Sequence, residues 1–237
     1  MNAAAPGSVE VCQTQAKVAA NFRSTKTYDV LIATPLVLYY GFALVGLKPQ
    51  FEAALRFRPM WLSALQLSSL ACFAFYLALV IALVFLRRMP VAKSDGVWPR
   101  ALALLASNWM SLLVWLPPAA PSTSLIAISA ALTAGGTFAE LFILVWLGRC
   151  FSVLPEARGL VTRGPYRHIR HPVYLSSLVV VVGVMLHFQQ TWAFLIVVPG
   201  FALQIWRMHY EEQVLRRTFP DYAAYAARSW RLVPGVY

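Results

Sequence analysis

The sequence predicts an all-α, polytopic membrane bundle: five to six transmembrane helices with a cytoplasmic C-terminal helical segment. Three observations carry this. Hydrophobic residues make up 59% of the chain and charged residues 12%, against about 25% charged in soluble globular domains, so a soluble fold would leave large apolar surfaces uncovered. Mean hydropathy is +0.63, and the apolar residues gather into six stretches, near 28–47, 60–86, 101–117, 123–147, 173–188 and 191–206. The basic residues are also sorted: with six spans and both termini cytoplasmic, 17 of the 20 Lys and Arg fall on the cytoplasmic side and only Lys48, Arg56 and Arg58 on the other, as the positive-inside rule requires.

A spanning helix needs about 20 apolar residues. The second and fourth stretches meet that amply; the third, fifth and sixth are short. The 48–59 loop carries all three misplaced basic residues, so a five-span arrangement with one early interfacial segment stays open. His187-Phe188-Gln189-Gln190 reads as a tight turn, making the last two spans a helical hairpin. Pro199-Gly200 should interrupt the sixth, and the backbone groups freed there need partners inside the protein. Ahead of the first span, residues 1–27 form a polar arm without the apolar run of a cleavable signal. Spans one to four, over 28–147, read as scaffold and acceptor cavity, and 148–237 as the region that carries chemistry.

The net charge of +11 fits basic loops beside anionic headgroups; nucleic acid is not an expected partner, because no soluble basic domain exists to carry it. Cys12, Cys72 and Cys150 are odd in number and widely spaced, which gives no disulfide framework.

All four histidines, His168, His171, His187 and His209, and the adjacent carboxylates Glu211 and Glu212 lie in the last third. In GPYRHIRHPVYL, Gly164-Pro165 is turn chemistry. Pro172 can open the fifth helix, where its missing N–H costs nothing. Residues before proline favour extended backbone, so Arg170-His171 should enter as a strand-like bend. The free N–H groups at that helix start favour an anion, and Arg167 and Arg170 reinforce this; the plainer reading is a pair of arginines holding a helix end at the headgroups. In RMHYEEQVLRRTF the sixth helix continues out of the membrane. Arg207 and Glu211 are one turn apart, and Glu211 and Glu212 point about 100° apart, so one can face its own arginine while the other faces a neighbour. Val214, Leu215, Phe219, Tyr222 and Tyr225 give the following segment an apolar side that should pack onto the protein. No metal is expected: His168 and His171 could pair with His187 or His209, yet Pro172 disfavours one helix through the pair. A Ser/His/Asp hydrolase lacks its nucleophile elbow. Glu140, inside the fourth span, is costly unless paired or facing water; with Arg149 a few turns on, it is the candidate acceptor contact, or a plain structural partner. Gly135-Gly136 permits close helix approach.

LGRCFSVLPEARGLVTRGPYRHIRHPVYL, followed one hairpin later by RMHYEEQVLRRTFPDYAAY, resembles the integral-membrane methyltransferases of the isoprenylcysteine carboxyl methyltransferase and phospholipid methyltransferase group. The likeness covers 147–234. It implies a cytoplasmic S-adenosyl-L-methionine site closed by the C-terminal segment, with a lipophilic or prenylated acceptor entering sideways from the lipid bilayer. It implies that Tyr166, His168, Arg170, His171, Pro172, Tyr174 and Leu175 border the cofactor. Glu212, with Glu211, completes the site, and Arg207 lies near the reacting centre, so Arg207, Glu211 and Glu212 are the catalytic candidates. Ser176 stands where the group usually has glycine, Pro220 replaces the glycine after Phe219, and Trp230 stands near the usual proline. Two other readings are an NADPH-dependent sterol-type reductase, with Arg216-Arg217 as a phosphate pocket, and a non-catalytic scaffold.

Overall fold

The computed structural model describes residues 26–56, 59–115, 121–188 and 192–236. The polar arm over 1–25 and the Gln189-Gln190 end of the expected turn lie outside these. Among the described residues eight α-helices follow one another: α1 (Lys26–Val45), α2 (Lys48–Leu55), α3 (Met60–Leu86), α4 (Trp98–Trp109), α5 (Thr123–Leu147), α6 (Pro172–Phe188), α7 (Ala193–Thr218) and α8 (Tyr222–Ala227). Two short strands, β1 (Ala92–Lys93) and β2 (Glu156–Ala157), pair antiparallel with Ala92 opposite Ala157 and Lys93 opposite Glu156.

α3 and the segment Thr123–Cys150 are long and apolar enough to cross a membrane, and α6 is a shorter apolar helix. A soluble core helix would hide its apolar residues. Here only 22% of the most apolar window in α3 is buried, and 39% of that in Thr123–Cys150. Phe42, Phe75, Phe138, Val145 and Leu195 all face outward. Apolar side chains displayed this densely call for a lipid surround, and the protein is membrane-associated.

The helices form two groups. α5 packs along α6, α3 along α5, and α1 along α3, whereas α4 packs on α7; α6 and α7 meet only sparsely. Glycine sets the closest contact. A Cβ on Gly136 would come within 2.7 Å of Val180 Cγ2 and 3.0 Å of its backbone nitrogen, and one on Gly183 within 2.8 Å of Thr133 Cγ2. Gly136 makes the approach expected of the glycine pair, while Gly135 has open space around it. Ser176 is buried on this α5–α6 seam, its hydroxyl donating to the Val173 carbonyl at 2.9 Å.

Three local expectations need correction. The 48–59 segment is not all loop: Lys48–Leu55 is helical, with Pro49 in its first turn, where a missing N–H is harmless. α6 runs through His187 and Phe188, so these two residues are helical and not turn. α7 continues unbroken through Pro199-Gly200. The backbone beside that proline finds an outside partner, because the Trp109 indole donates to the Ile196 carbonyl at 2.8 Å. Gly200 makes room for this, since a Cβ there would stand 2.6 Å from Trp109.

The interior also holds charge. Asp29 at the start of α1 receives Arg87 Nε at 3.0 Å and Arg158 Nη2 at 2.7 Å. Arg158 also reaches Glu156 at 2.6 Å and donates to the Arg88 carbonyl. Asp29, Arg87 and Arg158 are each 5% exposed or less. This cluster ties α1, the end of α3 and the β pair together. Read in the sequence as cytoplasmic loop charges, Arg87 and Arg158 are instead buried ionic partners.

Candidate active site

The stretch 164–172 folds as its residues dictate. Gly164 has φ +58°, and a Cβ there would meet the Trp146 ring at 2.5 Å, so both conformation and space demand glycine. Gly164–Arg167 makes a 3₁₀ turn that buries Tyr166. Ile169 then bridges in parallel to Trp230: Trp230 N–H donates to the His168 carbonyl at 2.8 Å, Arg170 N–H to the Trp230 carbonyl at 2.8 Å, and His171 N–H to the Arg231 carbonyl at 3.1 Å. This is the extended entry expected before Pro172, which opens α6. The C-terminal segment is thereby laced to the RHIRH stretch. Tyr225 adds a hydrogen bond to the Tyr166 carbonyl at 2.7 Å, and Tyr222 and Tyr225 are buried, as the apolar side of that segment predicts.

The two glutamates divide as their helical offset requires. Glu212 is buried, and its Oε1 receives His171 Nε2 and Arg231 Nε at 3.0 Å each, with Arg170 Nε at 3.7 Å. Burial pushes the Glu212 carboxyl up, but the His171 hydrogen bond and the charges of His171, Arg231 and Arg170 prevail and hold it below the usual carboxylate range. Glu211 turns the other way. Its Oε1 receives Tyr174 Oη at 2.7 Å and Arg207 Nε at 2.9 Å. Arg207 also donates to Ser107 Oγ at 2.7 Å and lies 5.3 Å from the centre of the Tyr174 ring, in cation–π range.

These groups border a cavity of about 230 Å³. Its wall includes Tyr166, Arg170, His171, Pro172 and Tyr174 on one side, and Arg207 with Glu211 on the other. Arg170 Nε is buried without a hydrogen-bond partner among the described residues. His168 and Leu175 stand outside the wall: His168 is exposed and gives the site only its backbone carbonyl. Arg167 is exposed too. Glu212 stands behind the wall, supporting it. Glu140 is buried and accepts a hydrogen bond from Ser177, which lines the cavity. Arg149 is exposed, donating to the Leu86 carbonyl at 3.0 Å.

Sequence reasoning missed several wall residues. Tyr40 from α1, Tyr76 from α3, Ser107 from α4 and Gln204 from α7 all line the cavity, and Arg231 closes the Glu212 cluster. Gln204 had a readable signal, since it sits one turn before Arg207 on the same face. Tyr40 and Tyr76 had none, being aromatics within apolar stretches.

Outward-facing apolar helices surround an ionic and aromatic cavity built at the RHPVY and Glu-Glu motifs. The phospholipid methyltransferase family model matches residues 122–222, the segment that contains α5, α6 and α7. A comparison with curated proteins finds no match.

Proposed function

We propose that the protein is an S-adenosyl-L-methionine-dependent methyltransferase, multi-pass, with its site and both termini on the cytoplasmic side, acting at the membrane interface on a lipophilic acceptor: the carboxylate of a prenylcysteine-like molecule or the amine of a lipid. One observation carries the reading. Within the family-matched segment, two motifs a hairpin apart put Tyr166, Arg170, His171 and Tyr174 opposite Arg207 and Glu211 around one cavity.

The chemistry of these groups suits the cofactor. Two guanidinium groups and His171 converge on the single Glu212 oxygen, and Arg170 Nε, 3.7 Å from it, makes no hydrogen bond among the described residues; that matches the cofactor's carboxylate. Glu211 presents a carboxylate to an ammonium or ribose hydroxyls. The rings of Tyr166 and Tyr174 suit adenine or a cationic sulfur. When bound, the cofactor supplies an electrophilic methyl group. The protein's part in an in-line displacement is positioning and charge neutralisation. Arg207, fixed by Ser107 and Glu211, steers the reacting ends. Glu212 orients His171, Arg170 and Arg231, and Trp230 with Arg231 closes the site. The acceptor enters between the two helix groups, where α6 and α7 separate.

The reductase reading loses its anchor. Arg217 pairs with Asp95 in solvent and Arg216 stacks over Tyr222 at 5.8 Å; neither lines the cavity. Calorimetry decides: S-adenosylhomocysteine binds and NADPH does not, and the reverse result sinks the proposal. Labelled-methyl transfer into lipid and prenylcysteine panels then identifies the acceptor, a methyl ester releasing its label in mild base.

A further inference from the structure

The cavity has two layers. Tyr174 on α6 and Arg207 on α7, with Glu211, make the upper one. One helical turn deeper on the same faces lie Ser177, at i+3 from Tyr174, and Gln204, at i−3 from Arg207; both line the cavity, about 5 Å below their neighbours. In the upper layer charges are matched, Arg207 to Glu211 at 2.9 Å. In the lower layer they are not. Glu140 is buried, holds Ser177 by a hydrogen bond, and has no cationic partner among the described residues. Gln204 spends its amide N–H on the Ala106 carbonyl at 3.1 Å, while its Oε1 is buried with no partner. An unsatisfied buried acceptor costs about 1–3 kcal/mol, so a ligand that donates to it recovers that cost. Tyr40 and Tyr76 line this region and lie within electrostatic reach of both Glu140 and Arg207.

We propose that Gln204 and the Glu140–Ser177 pair form the acceptor subsite, and that it selects a nucleophile carrying its own proton, an amine or hydroxyl, over a carboxylate. The inference rests on the methyltransferase reading above and narrows its acceptor. Gln204 Oε1 accepts a hydrogen bond from the nucleophile's N–H or O–H. A second proton path runs from the nucleophile to Ser177 Oγ, whose own proton passes to Glu140. The nucleophile's lone pair forms the bond to the methyl carbon, the carbon–sulfur bond breaks with its electron pair left on sulfur, and the one released proton rests on Glu140. A carboxylate releases no proton and has no N–H or O–H to offer Gln204 Oε1.

The test is equilibrium dialysis of labelled dodecylamine, dodecanol and dodecanoate, below their micellar concentrations, against purified full-length protein saturated with S-adenosylhomocysteine. The amine and the alcohol bind at least about tenfold more tightly than dodecanoate, the ratio expected from one recovered hydrogen bond. Gln204→Leu and Glu140→Gln each shrink that ratio, and Ser177→Ala retains the Gln204 part of it. S-adenosylhomocysteine affinity, measured in parallel, stays unchanged in all three. Dodecanoate binding as well as the amine in the wild type overturns the inference, as does a preference that survives both Gln204→Leu and Glu140→Gln. Neither outcome touches the methyltransferase reading. That reading fails separately, if the wild type does not bind S-adenosylhomocysteine.

Discussion

The cluster of Asp29, Arg87, Arg158 and Glu156 and the cluster of Glu212, His171, Arg231 and Arg170 use the same chemistry, buried guanidinium against carboxylate. They differ in balance. In the first, two arginines meet two carboxylates, and Arg158 spends further donors on the Arg88 carbonyl. In the second, two guanidinium groups and the His171 imidazole share one oxygen of Glu212, and Arg170 reaches it only at 3.7 Å. With its charges matched, the first cluster works as a fastener, although Arg158 Nε keeps no hydrogen bond among the described residues. The second, with two guanidinium groups on one carboxylate beside a cavity wall, is a fastener whose spare charge serves an anion in the proposed function.

The largest effect should come from the balanced cluster. Asp29→Ala strands Arg87 and Arg158 in the interior, and breaking a buried pair costs about 3–5 kcal/mol. The folded fraction recovered in detergent should fall sharply, while molecules that do fold keep their S-adenosylhomocysteine affinity. Loss of affinity at preserved fold, measured by calorimetry on the monodisperse fraction, would erase the distinction between the two clusters.

Glu212→Gln should cost less stability, about 1.5–3 kcal/mol for hydrogen bonds to a charged group. It should weaken S-adenosylhomocysteine at least about tenfold, because Arg170 and His171 lose their common anchor. Unchanged affinity means that Glu212 is structural only.

The pH dependence of unfolding sharpens this. The Glu212 carboxyl is held below its ordinary value of 4.5. A group depressed in the folded state gives its full stabilisation above the unfolded pKa and loses it as pH falls through the folded one. Stability contributed by Glu212 is therefore complete at neutral pH and drains away below about pH 4.5. Glu212→Gln should flatten the acid limb of the stability curve, and a parallel acid limb in the variant counts against the assignment.

The smallest effect belongs to a third pair. Arg217 and Asp95 lie 2.8 Å apart but are 68% and 88% exposed. Arg217→Ala should change stability by less than about 1 kcal/mol and leave cofactor binding intact. A larger loss would show that distance alone, without burial, sets the worth of an ion pair here.

How much of this could be read in the residues depended on range. α3 and α5 are plain from apolar length. Pro172 at a helix start, the strand-like Arg170-His171 and the divergence of Glu211 from Glu212 follow from local rules and stand in the fold. The Asp29 cluster was hidden because its partners are 58 and 129 residues apart; counting basic residues by side of the membrane treated Arg87 and Arg158 as surface charges. Arg231 was hidden for the same reason, as its role exists only once the tail bridges back to Ile169. Pro199 misled because a proline marks freed backbone groups, and the Trp109 indole that serves this backbone lies 87 residues earlier. The unpartnered Gln204 oxygen needed the three-dimensional arrangement of four helices to be seen.

The bridge between Ile169 and Trp230 also orders events during synthesis. Arg231 emerges from the ribosome 19 residues after the glutamate it pairs with. α6 and α7 are complete in the chain while the Glu212 cluster still lacks one of its members. A nascent chain halted at residue 228 would contain every helix described here and no bridge, so the site closes only after its helices exist.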